Sequence, residues 1–116
     1  MVIVDEAKIA KEEPTPHGNI GRSSVYRVTD SVPNRLLEFR KRIMPKGSTI
    51  GLHKVHHDEI FYVISGTGEV TCDGVAQTLT AGMSAYIYNG STISIGQKGD
   101  GPFTIILSYP LPAPAK

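Results

Sequence analysis

Hydrophobic and polar residues alternate along most of the chain in short runs, cut by glycine, proline or asparagine every ~8–12 residues. Side chains of equal parity share one face of a strand, so such runs predict half-buried strands. Strands are predicted over Ser24–Val28, Leu36–Met44, Glu59–Ile64, Glu69–Cys72, Val75–Leu79, Met83–Tyr88, Ser91–Ile95 and Phe103–Tyr109. Asp73-Gly74 between two of them is a strong hairpin signal. Near the start, Val2-Ile3-Val4 predicts a short strand, and Asp5 to Glu13 a turn or two of helix with Asp5 as N-cap. That helix is stopped by Pro14-Thr15-Pro16, and His17 to Gly21 follows as a glycine loop. The pattern as a whole predicts an all-β sandwich or barrel without a domain boundary.

Composition adds limits. A chain of 116 residues is one domain by length, and 40% hydrophobic with 20% charged residues is globular rather than disordered. Twelve basic against eleven acidic residues give a formal charge of +1, so no nucleic-acid partner is expected. No apolar run approaches the ~18 residues of a membrane span, so no membrane partner is expected either. The start, Met1-Val2-Ile3-Val4-Asp5-Glu6, turns acidic before a signal-peptide core could form, and the single cysteine, Cys72, excludes an internal disulfide. A cytoplasmic protein is the expectation.

The candidate chemistry lies in residues 47–68, which hold three of the four histidines and the pair Asp58-Glu59 ahead of an apolar run. If His53 faces inward, strand parity takes Val55, His57, Glu59, Phe61 and Val63 with it. Two imidazoles and a carboxylate then converge over an apolar floor, the outline of a ligand pocket. The same three groups, His53, His57 and Glu59, suit one divalent ion, Zn, Ni, Fe or Mn. A β-bulge at Val55-His56-His57 would turn His56 inward instead. The other face of Ile60, Tyr62 and Ile64 is apolar as well, so a second sheet or a partner subunit is expected to cover it.

Three further groups carry weaker signals. Tyr86 and Tyr88 share parity and could bring phenols to the pocket, although packing is the commoner role of tyrosine. Arg40 and Arg42, with Glu38 on the same face, could fix a carboxylate or phosphate. The expectation preferred here is a solvated strand face with an ion pair of at most ~1 kcal/mol. His17 and Arg22 flank the glycine loop and could close over a barrel mouth.

Gly47, His53, Glu59 and Gly66, with Gly68 beyond, follow the spacing of the first cupin motif, G(x)5HxH(x)3–4E(x)6G. Gly82 and Gly90 give a looser counterpart of the second motif, with Tyr88 at its proline position. The chain therefore resembles the small single-domain cupins over about residues 36 to 109. The resemblance implies a cupin-type jelly-roll β-barrel (a double-stranded β-helix), usually a homodimer. Residues 1–35 are then an N-terminal arm packing on the barrel or a partner, and residues 110–116 a proline-rich tail. It also implies metal ligands at two histidines and a glutamate of the first motif and a histidine of the second. Here Val55 and Ile93 stand at two of those places, and Gln97 replaces a closing asparagine. The implied metal site is degenerate, since valine and isoleucine offer no lone pair. What remains is a barrel binding a small polar organic molecule, with His53, His57 and Glu59 as polar groups and Phe61, Tyr88 and Ile93 as walls. The alternative is a small isomerase or epimerase, lyase or dioxygenase acting on a sugar or carboxylate, with a metal held by His53, His57 and Glu59.

Overall fold

The computed structural model describes residues 1–16 and 21–112. Among them, ten strands form two antiparallel sheets. They are β1 (Ala10–Pro14), β2 (Arg22–Arg27), β3 (Leu37–Met44), β4 (Thr49–Lys54), β5 (Glu59–Ser65), β6 (Thr67–Cys72), β7 (Val75–Thr80), β8 (Ser84–Ile87), β9 (Thr92–Lys98) and β10 (Phe103–Pro110). One sheet has the order β1-β2-β3-β10-β5-β8 and the other β4-β9-β6-β7. The all-β expectation holds.

The N-terminal region differs from its prediction. Val2-Ile3-Val4 forms no strand, and the helix shrinks to one 3-10 turn, Glu6–Lys8, whose Ala7 N–H is accepted by the Asp5 side chain. Residues 10–14, read as the end of that helix, pair instead with β2, which in turn pairs with β3. Three ionic contacts pin this arm down: Arg22 to Glu12, Arg27 to Glu13 and Lys41 to Glu6. Arg22 is thus engaged along the arm, while His17 and residues 113–116 of the tail lie outside the described residues.

The core lies between the sheets. Val63 and Phe103 from one sheet meet Val70, Ile93 and Ile95 from the other, all essentially inaccessible. Two glycines of the motif are required by this packing. At Gly66 the backbone has φ +84°, and a Cβ there would lie 2.2 Å from the Pro102 carbonyl oxygen. At Gly68 a Cβ would lie 2.3 Å from the Phe103 ring. The predicted hairpin is present as β6–β7, with Asp73 and Gly74 both at positive φ, as a two-residue hairpin turn requires. Gln97 is buried where β9 ends: its Oε1 accepts from Gly47 N, and its Nε2 donates to the Lys98, Gly99 and Gly101 carbonyls. It ties the glycine loop to the start of β4.

Strand β3 is set opposite to its expected orientation. Glu38, Arg42 and Met44 are buried, whereas Leu37 and Phe39 face out. Register decides this. Met44 pairs with Phe103, and both are fully buried, so a one-residue slip would expel Met44 and the whole face with it. The charged residues of that face therefore point into the barrel. They are tolerated because each has charged or hydroxyl partners.

Candidate ligand cavity

A cavity of about 280 Å³ opens between the sheets, lined by Arg40, Arg42, Ile50, His53, Val55, His57, Glu59, Phe61, Ile95, Leu107 and Tyr109 among others. Its polar groups reach it by three routes. On β4 the pairing with β9 shifts register between Ile50 and His53, so Ile50 and His53 both line the cavity while Leu52 stays exposed. A connection over residues 55–58 then carries Val55, His56 and His57 along the rim. Strand β5 starts at Glu59 with clean alternation: Glu59, Phe61 and Val63 in, Ile60, Tyr62 and Ile64 out. His53, His57, Glu59 and Phe61 thus meet at one cavity, but from two strands of different sheets and the connection between them; the expected parity holds only for Glu59 and Phe61 within β5.

The other two expected wall residues lie elsewhere. Ile93 is fully buried beneath the cavity, paired with His53 and Cys72, and its place on the wall is taken by Ile95. Tyr88 is 69% exposed on the outer surface, edge-on to Tyr86 with ring centroids 5.1 Å apart. The Tyr86 hydroxyl donates to Asp58 (2.6 Å), and Asn89 N donates to the other Asp58 oxygen (2.8 Å). These two bonds hold the Asp58 carboxyl below its usual range, and they make Tyr86 and Asp58 a surface brace beside the rim.

Glu59 is the singular group. It is 5% exposed, and no hydrogen bond to it exists among the described residues; the nearest polar atom recorded is His57 Nε2 at 3.8 Å, too far for a hydrogen bond. Burial pushes its carboxyl up to about 7, opposed by the Arg40 charge. His57 is held below the usual imidazole range, chiefly by burial, then by His56 and Arg40. Near pH 7 a half-protonated acid and a neutral imidazole therefore stand side by side. His57 is stacked on Tyr109 at 3.8 Å between centroids, and Tyr109 accepts a hydrogen bond from Arg40 Nη2 at 3.0 Å. His53 Nδ1 donates to the Gly51 carbonyl at 2.8 Å, which sets its tautomer. Pattern reading missed Leu107 and Tyr109 as cavity groups, and its preferred solvated face for Arg40 and Arg42 is corrected, since both line the cavity. The signal available was the parity link of Arg40 and Arg42 to Met44, an apolar residue ending the same face.

The residues present fit a divalent metal poorly. Val55 and Ile93 are both buried apolar side chains, and among the described residues no three His, Cys, Asp or Glu side chains converge. Two separated donors bind metal weakly against water.

A family model described as the cupin domain matches residues 40–109. No curated protein matches the chain. Among solved structures, a "predicted oxalate decarboxylase" from Thermotoga maritima superposes with TM-score 0.84 at 23% identity, covering 96% of this chain and 100% of that one. An RmlC-like cupin from Shewanella frigidimarina gives 0.73 at 20% identity, covering 95% and 91%. KdgF from a Halomonas species gives 0.66 at 20% identity, covering 78% and 80%. At these identities the likeness speaks for the fold, and with the family match over most of the barrel it settles membership: the chain belongs to the cupin family.

Proposed function

We propose that this cupin binds a small polar organic molecule in its barrel, without depending on a metal ion for the binding. The observation that carries this reading is Glu59, a buried carboxyl with no hydrogen-bond partner among the described residues, at a cavity with an apolar floor. Such a group costs folding free energy unless something completes it. A ligand hydroxyl or carboxyl is the completing group, and His53 and His57 flank it. The test has two arms. Protein purified without a histidine tag is analysed for metal after reconstitution, and small hydroxylated molecules are screened by amide chemical-shift changes. Below about a tenth of an equivalent of Zn, Ni, Fe or Mn, with shifts at Val55, Phe61 and Leu107, is expected. Stoichiometric metal lost in His53→Ala would overturn the metal-independent reading. Shifts confined to the outer surface would overturn the cavity.

A second reading is favoured by the adjacent Glu59 and His57, with Glu59 near 7 and His57 held below the usual imidazole range. Groups poised in this way suit general acid–base chemistry at neutral pH, so an isomerase or lyase acting on a sugar or carboxylate is the enzymatic alternative. A structural neighbour described as a "predicted oxalate decarboxylase" is consistent with it.

The protein is further proposed to be a cytoplasmic homodimer. The free thiol of Cys72 suits a reducing compartment. Across the outer face of the larger sheet run Phe39, Ser108, Ile60 and Tyr86, with Ile106, Tyr62 and Ser84 in the next row. Ile60, Tyr62 and Ile64 are each more than 40% exposed, and nothing among the described residues covers them. These positions on β5, β8 and β10 carry no charge, so a second copy can meet them face to face without like-charge repulsion. Sedimentation at micromolar concentration is expected to give a dimer, and Tyr62→Glu a folded monomer; a monomeric parent protein rejects the interface.

A further inference from the structure

We infer that the Arg40–Arg42 wall of the barrel is an anion subsite, and that the ligand of the cavity is a small monocarboxylate. The inference rests on the proposal that the cavity holds a ligand, and it adds the ligand's charge and the residues that read it. Arg40 and Arg42 follow one another on the inward face of β3, and both line the cavity. Their side chains are 20% and 5% exposed, so neither charge is well solvated.

The carboxylates serving them stand behind the wall, and each is shared. Glu38 takes a 2.7 Å contact from Arg35 and only a 3.3 Å contact from Arg40. Glu13 takes a two-point contact from Arg27, 2.7 and 3.1 Å, and a 3.4 Å contact from Arg42. In both pairs the outer arginine holds the carboxylate closely and the cavity-facing arginine holds it loosely. Arg42 Nη1 also donates to Ser23 Oγ at 2.6 Å, and Arg40 Nη2 donates to the Tyr109 hydroxyl. Among the described residues this leaves Arg40 Nη1 and Arg42 Nε without a hydrogen-bond acceptor. A buried guanidinium with unused donors is costly, and an anion in the cavity would complete both.

Charge selects the kind of anion. The four arginines Arg27, Arg35, Arg40 and Arg42 face three carboxylates, Glu13, Asp30 and Glu38. One positive charge is left over there; at the cavity Lys54 adds another and the partly ionised Glu59 offsets part of it, so the lining keeps a small positive excess that suits a monoanion. Guanidinium forks also fit the planar carboxylate by two-point hydrogen bonds. The Tyr109 hydroxyl, which accepts from Arg40, keeps its own proton to donate to the ligand. The remaining wall is Ile50, Val55, Phe61, Ile95 and Leu107, which suits a short carbon skeleton. About 280 Å³ has room for roughly nine water-sized groups at ~30 Å³ each, so the ligand is of small-metabolite size.

The test compares matched probes by calorimetry and amide shift titration: a panel of short monocarboxylates, lactate and benzoate among them, their neutral amides, and inorganic phosphate. At least one carboxylate should bind ten or more times more tightly than its amide. Arg40→Gln should weaken that carboxylate at least tenfold and leave the amide's affinity unchanged. Arg42→Lys, which keeps the charge but not the fork, should cause an intermediate loss while the amide spectrum shows a folded protein. Amide and carboxylate binding alike in the cavity, unaffected by Arg40→Gln, would overturn the anion subsite and leave the cavity reading intact. Arginine-dependent binding of phosphate alone would overturn the carboxylate assignment. No probe bound in the cavity would overturn both readings.

Discussion

Gly68→Ala is expected to destabilise the barrel by about 3 kcal/mol or more, among the largest effects any single methyl can have here. The added carbon would stand 2.3 Å from Phe103 Cε2 and 2.4 Å from Cζ. That ring is fully buried among the core residues and pairs in register with the buried Met44, so it has nowhere to withdraw. Phe103→Ala should cost a similar ~3–5 kcal/mol for the opposite reason, a cavity. The two substitutions share one space, so their costs should not add: Gly68→Ala in a Phe103→Leu background should cost distinctly less than alone. Urea unfolding of the four proteins checks this. A Gly68→Ala protein within ~0.5 kcal/mol of the parent would contradict the close approach.

Glu59→Gln is expected to make the protein more stable, increasingly so as pH rises. The sign follows from proton counts. The folded carboxyl sits at about 7 against an ordinary 4.5, so between those values the native state binds more protons than the unfolded state. Stability from this group is therefore lost as pH rises from ~4.5 through ~7, and the loss is complete above that. Two and a half pKa units correspond to about 3 kcal/mol, at 1.36 kcal/mol per unit. Glutamine keeps the shape and never ionises. The gap between variant and parent should widen by about 2–3 kcal/mol from pH 5 to pH 8. Asp58 and Glu13, whose carboxyls are held low, titrate alike in both proteins and cancel in the difference. A gap independent of pH would mean that Glu59 ionises as an ordinary carboxylate. If a ligand completes Glu59, the same variant should bind it less well while being more stable, a trade common at binding sites.

The cupin pattern was readable because its residues answer to local rules. Alternation over Glu59–Ser65 reports a strand, and Asp73-Gly74 reports a turn, whatever else the chain does. The parity rule aligned Glu59 with Phe61 within β5, whereas His53 and His57 reach the same cavity from β4 and the connection that follows it, not along one strand. Tyr86 and Tyr88 do share a face, as parity has it, but alternation with the buried Ile87 turns that face outward, away from the cavity. The motif resemblance puts Ile93 on the wall, but facing inward and lining a cavity are different things. Ile93 faces inward but is packed over, and only Ile95, one pair further along β9, reaches the void.

By itself the sequence determined the all-β class, the hairpin, the glycine frame of the barrel and one half of the cavity. Each depends on residues close together in the chain, whose periodicity or backbone geometry is self-sufficient. Only the tertiary structure decided which face of β3 turns inward. Both faces mix apolar and charged residues, Leu37, Phe39 and Ile43 beside Lys41 on one, Glu38, Arg40 and Arg42 ahead of Met44 on the other. Hydropathy alone favoured the first. The choice was made by pairing with β10, distant in sequence, where Phe103 holds Met44 in the core, and by Glu13 and Ser23 of the N-terminal arm, which partner Arg42. Burial of a charge depends on partners, and these partners come from strands that meet only in the folded barrel. So the arginine wall of the cavity, unlike its histidine rim, could not be read along the chain.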